Sequence, residues 1–403
     1  MQWFEAGVPG LGCLTKVAAE ISKLETIMMD KATFPVRART VPRRPIAVIS
    51  ALLIALAMPA FAHAEIVLND LKGRTVALEA PARRVVVDDG RLILALSFLT
   101  DDPVSLVAAW PHDVDRFGRE LYASYRQRFP AIATLPRSAS SAQDMIAEQI
   151  IAGNPDLVVL SLYSHPAEQQ LGQLKQAGIP VIFVDFVADP LANSDRSLDI
   201  LGKAVGRQAE ADRVIAFRKH HKALISARIA KADRSGRPVV FMETHASMQE
   251  PCCNSPGTGS IGKFIEFAAA RNIGDILAGK PSGQISLEYV LASKPEVYIA
   301  GGGEYMAHRG GLLIGPNYDA KQTRDSMARL LARPGFRTIP AATKGAVHGL
   351  SQQIFNSPLD VLALELIARW THPELFEDLD VETTRGTLNS LMAVPLTGTY
   401  WTD

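Results

Sequence analysis

Cysteine is nearly missing from this 403-residue chain: Cys13 stands alone, and Cys252 and Cys253 are neighbours. A multi-disulfide scaffold and a Cys-x-x-Cys motif are therefore excluded. An excess of one charge is missing too. The 42 Lys and Arg residues balance 42 Asp and Glu, so there is no electrostatic case for nucleic acid and no basic run suited to a membrane surface. No Gly-x-Ser-x-Gly elbow and no His-Glu-x-x-His helix occurs, and Gly301-Gly302-Gly303 lacks phosphate-loop spacing. His220-His221 falls mid-helix and reads as solvated rather than metal-binding. These absences count against a secreted enzyme. Low-complexity blocks are also lacking, which excludes a disordered chain.

Long apolar runs are scarce. The run Ile46–Phe61 is short for a membrane span, and it lies between Arg37, Arg39, Arg43, Arg44 and the small-x-small sequence Ala62-His63-Ala64. That arrangement reads as an export signal cleaved after Ala64. Residues 1–64 are set aside as pre-sequence, with the true start expected nearer Met28 or Met29. No Cys stands at the cleavage point to carry a lipid, so the mature chain is expected to be soluble and outside the cytoplasm; the periplasm is the expected compartment, and a monomer the expected state. In an oxidising compartment Cys252 and Cys253 either stay free or join to each other. Pro251 before them and Asn254-Ser255-Pro256-Gly257 after them place the pair in a turn, where a vicinal disulfide is the expected outcome.

From Ile66 the pattern reads as a hairpin, Ile66–Leu68 and Thr75–Leu78 about a turn at Gly73. Short apolar strands then alternate with helices: strands Arg84–Val87, Val104–Ala109, Leu157–Leu162 and Val181–Phe186, with helices Arg91–Leu99, Ala142–Ala152 and Ala167–Ala177. Continuous apolar strands separated by helices imply a parallel sheet covered on both faces. From Asn193 to about Lys231 the chain is long, charged and helical, interrupted only at Gly202 and Gly206. Val214, Phe217, His221, Leu224, Ile225 and Ile229 make a narrow apolar stripe there. The alternation then restarts, with strands Pro238–Met242, Glu296–Ala300 and Ala346–His348. Helices Ile261–Ala270, Ser286–Ala292, Lys321–Leu331 and Pro358–Trp370 accompany them. The expected fold is α/β: two doubly wound lobes, 65–192 and 236–403, joined by a single long α-helix within a connector at 193–235.

An ordered series of short segments resembles the periplasmic substrate-binding proteins of ABC importers for ferric siderophores, heme and cobalamin. It runs from Asp70-Leu71-Lys72-Gly73-Arg74 through Asn154-Pro155-Asp156 and Leu201-Gly202-Lys203-Ala204-Val205-Gly206-Arg207 to Ser286-Leu287-Glu288 and Arg333-Pro334-Gly335-Phe336. Phe355-Asn356-Ser357-Pro358 and Trp370-Thr371-His372-Pro373 match a siderophore-type subset most closely. The resemblance spans essentially the whole mature chain. It implies a non-catalytic carrier without a cofactor, which captures an iron chelate and delivers it to an ABC permease. Heme or a corrinoid is the alternative ligand. It further implies that one surface Glu per lobe docks on the permease, and Glu168 and Glu288 match those positions.

Paired α/β lobes bind ligand between them, at the carboxyl ends of their strands. Arg91 follows the first strand of the parallel sheet and offers a fork for anionic oxygens. Trp110 and Tyr163 end two further strands, where an aromatic ring could face a flat ligand. In the second half, Glu243 and His245 leave a strand toward Cys252 and Cys253, and a vicinal disulfide there would form a rigid ledge. Tyr305, His308 and Arg309 lie in the glycine-rich loop after Glu296–Ala300. Gln352 stands where several relatives carry His. Gln is a poor metal ligand, so a neutral hydrogen bond to an intact chelate is expected there instead of coordination.

Overall fold

The computed structural model describes residues 65–402, apart from 142, 144, 233–235 and 249–251. The expected export signal lies outside these residues. Ile66–Asn69 (β1) and Thr75–Leu78 (β2) pair antiparallel, Ile66 opposite Leu78. The Asp70 carboxylate ties their turn, accepting the N–H groups of Lys72 and Arg74 and the Arg74 guanidinium at 2.6 Å.

Val85–Val87 (β3), Val107–Ala109 (β4), Leu157–Ser161 (β5) and Val181–Val184 (β6) form a parallel sheet in the order β4-β3-β5-β6. Every residue of β3, β5 and β6 is buried, which is what strands covered on both faces require. The second half contributes Val239–Glu243 (β7), Asn254–Pro256 (β8), Arg271–Asn272 (β9), Ser282–Gln284 (β10), Val297–Gly302 (β11), Val347–Ser351 (β12) and Trp401–Thr402 (β13). Strands β8 and β10 pair antiparallel. The others build a sheet ordered β13-β12-β11-β7-β9, parallel except for β13.

Each sheet has a switch point. The chain leaves β3 to build β4 on one side and returns to place β5 on the other; β7 stands likewise between β9 and β11. Strand connections diverge at such points and open a crevice beyond the carboxyl ends.

The lobes are joined by two helices, Pro190–Ala204 (α1) and Gln208–Ile229 (α2). The chain turns between them at Val205–Arg207, with Gly206 at φ +68°. Gly202 permits their close approach, since a Cβ there would lie 2.5 Å from that of Ala211. The second helix is the long one, about 33 Å at 1.5 Å per residue. α1 packs on β1 and β6, and α2 packs on helix Asp360–Thr371 (α3) of the second lobe. Val214, Ile225 and Ile229 of the expected stripe are buried. The seam also holds a buried Arg218, which bridges Asp195 and Asp360 at 2.6 Å each. His221 is not solvated: its ring bonds the buried carboxylate of Glu365.

Some boundaries moved for local reasons. After Pro103 the expected strand Val104–Ala109 begins as a 3-10 turn, Val104–Leu106, and only Val107–Ala109 is extended. Helices Val114–Phe117, Arg119–Arg128 and Val381–Ser390 were not apparent in the sequence pattern. The final segment crosses back to the first lobe, where Ala393 donates to the Ser97 carbonyl at 2.9 Å, before β13 joins the second sheet. One hydrophobic cluster runs through both lobes and the connector. Among the described residues, no helix is long and apolar enough to cross a membrane.

Candidate ligand-binding cleft

Both switch points face a cleft of about 280 Å³ lined by Arg91, Asp115, Arg116, His245, Met248, Tyr305, Arg309, Gln352 and Gln353. The first lobe supplies its charged wall. Asp88 and Asp89 follow β3, and Tyr163 follows β5, the two strands that flank the switch point. Asp88 is tied to β5, accepting the N–H and hydroxyl of Ser161 and the hydroxyl of Ser164. Burial pushes it up to about 6 against those bonds.

Asp89 anchors the arginines. Arg91 grips it at two points, Nε to Oδ1 at 2.8 Å and Nη2 to Oδ2 at 2.6 Å. The same Nη2 donates to the Tyr163 hydroxyl at 2.8 Å, and that hydroxyl donates to Asp89 at 2.5 Å. Arg116 adds a weaker contact at 3.3 Å and bonds Ser141 at 2.6 Å. Burial opposes the Asp89 charge, but the Arg91 guanidinium, Tyr163 and Arg116 hold the carboxyl well below its usual range. Asp113 is the converse case. Burial and the neighbouring Asp89 charge raise it to about 7.

The second lobe supplies a neutral hydrogen-bonded ring, with Arg309 beside it. After β7 the chain turns sharply, with His245 at φ +52°, and its ring meets two residues from later strand ends. Nδ1 of His245 lies 2.8 Å from the Tyr305 hydroxyl, which donates to Oε1 of Gln352 at 2.6 Å. Nε2 of His245 lies 3.0 Å from Nε2 of Gln352. One set of protons satisfies all three contacts: His245 carries hydrogen on Nδ1, and its Nε2 accepts from the Gln352 amide. Burial, with Arg91 across the cleft, pushes the imidazole down to about 4. His245 is thus neutral at ordinary pH and its lone pair is already engaged.

Five expected residues, Arg91, His245, Tyr305, Arg309 and Gln352, come together in this cleft, and Tyr163 braces Arg91 from behind. Others lie elsewhere. Trp110 is fully buried, donates to the Ile132 carbonyl at 3.1 Å and stacks on His112. It is a core residue and not a platform in the cleft. Glu243 does not share a side with His245. Its carboxylate is buried against Arg333, at 2.7 and 2.5 Å, and accepts from Tyr298 at 2.7 Å. Cys252 and Cys253 are bonded to each other, but behind the cleft, with Cys252 Sγ 3.8 Å from Glu243. Donor atoms of Glu243, Cys252 and Cys253 lie within 4.8 Å of one another, yet the carboxylate is ion-paired and the sulfurs are joined, so none is free for a metal. His308 is exposed and outside the lining.

Sequence reasoning missed Arg116, Asp115, Met248 and Gln353. The signal for Arg116 is its place in the chain: it follows β4 by a short turn, just beyond Trp110. Glu168 and Glu288 are exposed, each at the first turn of its helix, Glu168–Gln176 and Leu287–Ser293. A helix packed between parallel strands begins near their carboxyl ends, so both carboxylates lie on the cleft-bearing side of their own lobes.

Residues 97–354 match the sequence profile of the periplasmic binding protein family. The chain belongs to that family. Its members are non-catalytic, and the protein is accordingly a periplasmic solute-binding protein that delivers a small ligand to an ABC permease. No curated protein sequence matches it. Among solved structures it is similar to the TroA-like periplasmic binding protein FepB from Veillonella parvula, with a TM-score of 0.74 and 23% identity over 84% of this chain and 99% of that one. It is also similar to the molybdate-bound binding protein MolA from Haemophilus influenzae, with a TM-score of 0.62 and 16% identity over 81% and 97% of the two chains. A periplasmic heme-binding protein from Pseudomonas aeruginosa follows, with a TM-score of 0.51 and 20% identity over 72% and 93%. At these identities the likeness is one of fold.

Proposed function

We propose that the ligand of this binding protein is an intact anionic iron chelate, a ferric siderophore, held between the arginine wall of the first lobe and the neutral ring of the second. The observation that carries this reading is the division of labour in the cleft. Arg91, Arg116 and Arg309 favour anionic oxygens, while the groups able to coordinate iron, His245 and Tyr305, are bonded to each other and to Gln352. A chelate whose metal is already saturated needs hydrogen bonds and charge from the protein and no coordinate bond. In this reading residues 1–64 are the cleaved export signal, no resident cofactor takes part, and Glu168 and Glu288 are the permease-docking carboxylates.

Heme is the second reading, favoured by the adjacency of His245 and Tyr305 at the cleft, since either could become an axial ligand once the ring opens. Titration of the purified protein with hydroxamate, catecholate and carboxylate ferric siderophores, heme and cobalamin, followed by tryptophan fluorescence, separates the two. Saturable quenching by one siderophore class, without a protein-bound Soret band for heme, is the expected result. A Soret shift that disappears in Tyr305→Phe would replace the siderophore reading with heme.

A further inference from the structure

Beside the cleft, the two lobes meet at a seam that begins at its rim, at the cleft residue Gln353. Gly118 of the first lobe approaches Gln353 of the second so closely that a Cβ on it would lie 2.6 Å from the amide nitrogen. Two residues further on, Glu120 enters the same seam from helix Arg119–Arg128. Glu304, at the exit of β11 and next to Tyr305 of the cleft, faces it from the second lobe within hydrogen-bonding reach. Glu120 is buried, and Oε1 of Glu120 and Oε2 of Glu304 are both shielded from water without an N–H or O–H donor.

Two carboxylates in contact, with the facing oxygens shielded from water, resist being ionised together, because like charges in a poorly solvated seam repel strongly. Among the described residues, the nearby cation relieves them only in part. Arg119, the basic group that acts on the pair, is turned to Asp115 at 2.7 Å and is exposed. The other ionisable groups acting on the pair are Tyr318 and Tyr400, and the carboxylates disfavour ionisation of both. We propose that Glu120 and Glu304 share one proton and thereby form a pH-sensitive latch that fastens the two lobes beside the ligand cleft. Burial, then the Glu304 contact, raises Glu120 to about 7. A carboxyl whose affinity for protons is higher when the seam is closed favours closure fully below its ordinary range and loses that preference as pH rises through the shifted value. The latch therefore holds in mildly acidic surroundings and loosens above neutrality, whichever ligand fills the cleft.

The test uses the ligand-free mature protein. Side-chain carboxyl carbon shifts of Glu120 and Glu304, followed from pH 4 to 9, should show one group titrating near 7. Amide exchange in segments 117–124 and 303–306, corrected for intrinsic rates, should rise by about tenfold between pH 6 and 8, the ratio set by release of one proton with that affinity. Glu120→Gln and Glu304→Gln should each flatten the rise. If Glu120→Gln fails to fold, Glu304→Gln, at a half-buried position, carries the comparison. Titration of both carboxyls in the ordinary acidic range would overturn the proposal. So would a calcium-dependent rise in melting temperature at pH 8 that both variants lose, which would mark the pair as a cation site instead.

Discussion

The Gln352 side-chain amide donates to Nε2 of His245 at 3.0 Å, while its oxygen accepts from the Tyr305 hydroxyl at 2.6 Å. One side chain thus fixes both the tautomer of the imidazole and the direction of the phenol. Gln352→Ala leaves two half-buried polar groups each short of a partner. The expected loss is about 1–3 kcal/mol of stability, measured by urea unfolding. His245 Nε2 should also become available to added Ni²⁺, which stabilises the variant and leaves the parent unchanged.

Arg91 is held more firmly than a ligand-binding residue needs to be. Removing it leaves the buried Asp89 with the Tyr163 hydroxyl and the residue 91 N–H as donors and with the long 3.3 Å contact to Arg116 as its ion pair. Arg91→Ala should therefore destabilise the first lobe by about 3–5 kcal/mol, as loss of one partner from a buried ion pair does. Denaturant unfolding gives the value; a stability change below about 1 kcal/mol would return Arg91 to a surface role.

Arg116 and Arg309 have fewer internal commitments and carry the charge offered to the ligand. Each change to Ala should weaken binding of an anionic ferric chelate by about 1.5–3 kcal/mol, more at low salt than at high salt. Melting temperatures should stay close to the parent value. An affinity independent of ionic strength would remove anion recognition from the cleft.

The imidazole of His245 should not titrate between pH 5 and 8. Its folded value of about 4 lies below the unfolded value near 6.5. The unfolded chain therefore takes up the proton first. The stability His245 contributes is complete above about 6.5 and is lost as pH falls toward 4. Ring nitrogen shifts of labelled protein, flat from pH 8 to 5, are the check.

Joined cysteines behind the cleft give a different expectation from cysteines lining it. Changing Cys252 and Cys253 together to Ser should leave ligand affinity unchanged. Stability should change little, because the bond closes almost no chain. Thiol counting on the unfolded, unreduced protein should find neither sulfur free. A marked loss of affinity would place the turn in the site after all.

The alternating pattern of the sequence carried the architecture well, because apolar runs such as Leu157–Ser161 and Val297–Gly302 are buried at every position and leave no other reading. The cleft was legible wherever a residue directly follows a strand at a switch point, as Arg91, His245 and Tyr305 do. Direction was not legible. Glu243 and His245 are two apart, and in a continued strand they would share a face. The positive φ at His245 ends the strand and sends the two side chains to opposite sides. Short polar helices such as Val114–Phe117 have too few residues to show a period, so Arg116 escaped notice. The Glu120–Glu304 contact joins residues far apart in the chain, and no local pattern records it.

The return of the chain end to the first lobe bears on how the protein is made. Ser97 receives its hydrogen bond from Ala393, and Met392, Val394 and Leu396 share a hydrophobic cluster with Leu92, Leu94 and Leu96. The first lobe therefore cannot complete its own packing until almost the last residue of the chain is available. Cutting the chain before Met392 should therefore uncover Leu92, Leu94 and Leu96 and loosen the first lobe, although the cut falls in the other half of the sequence.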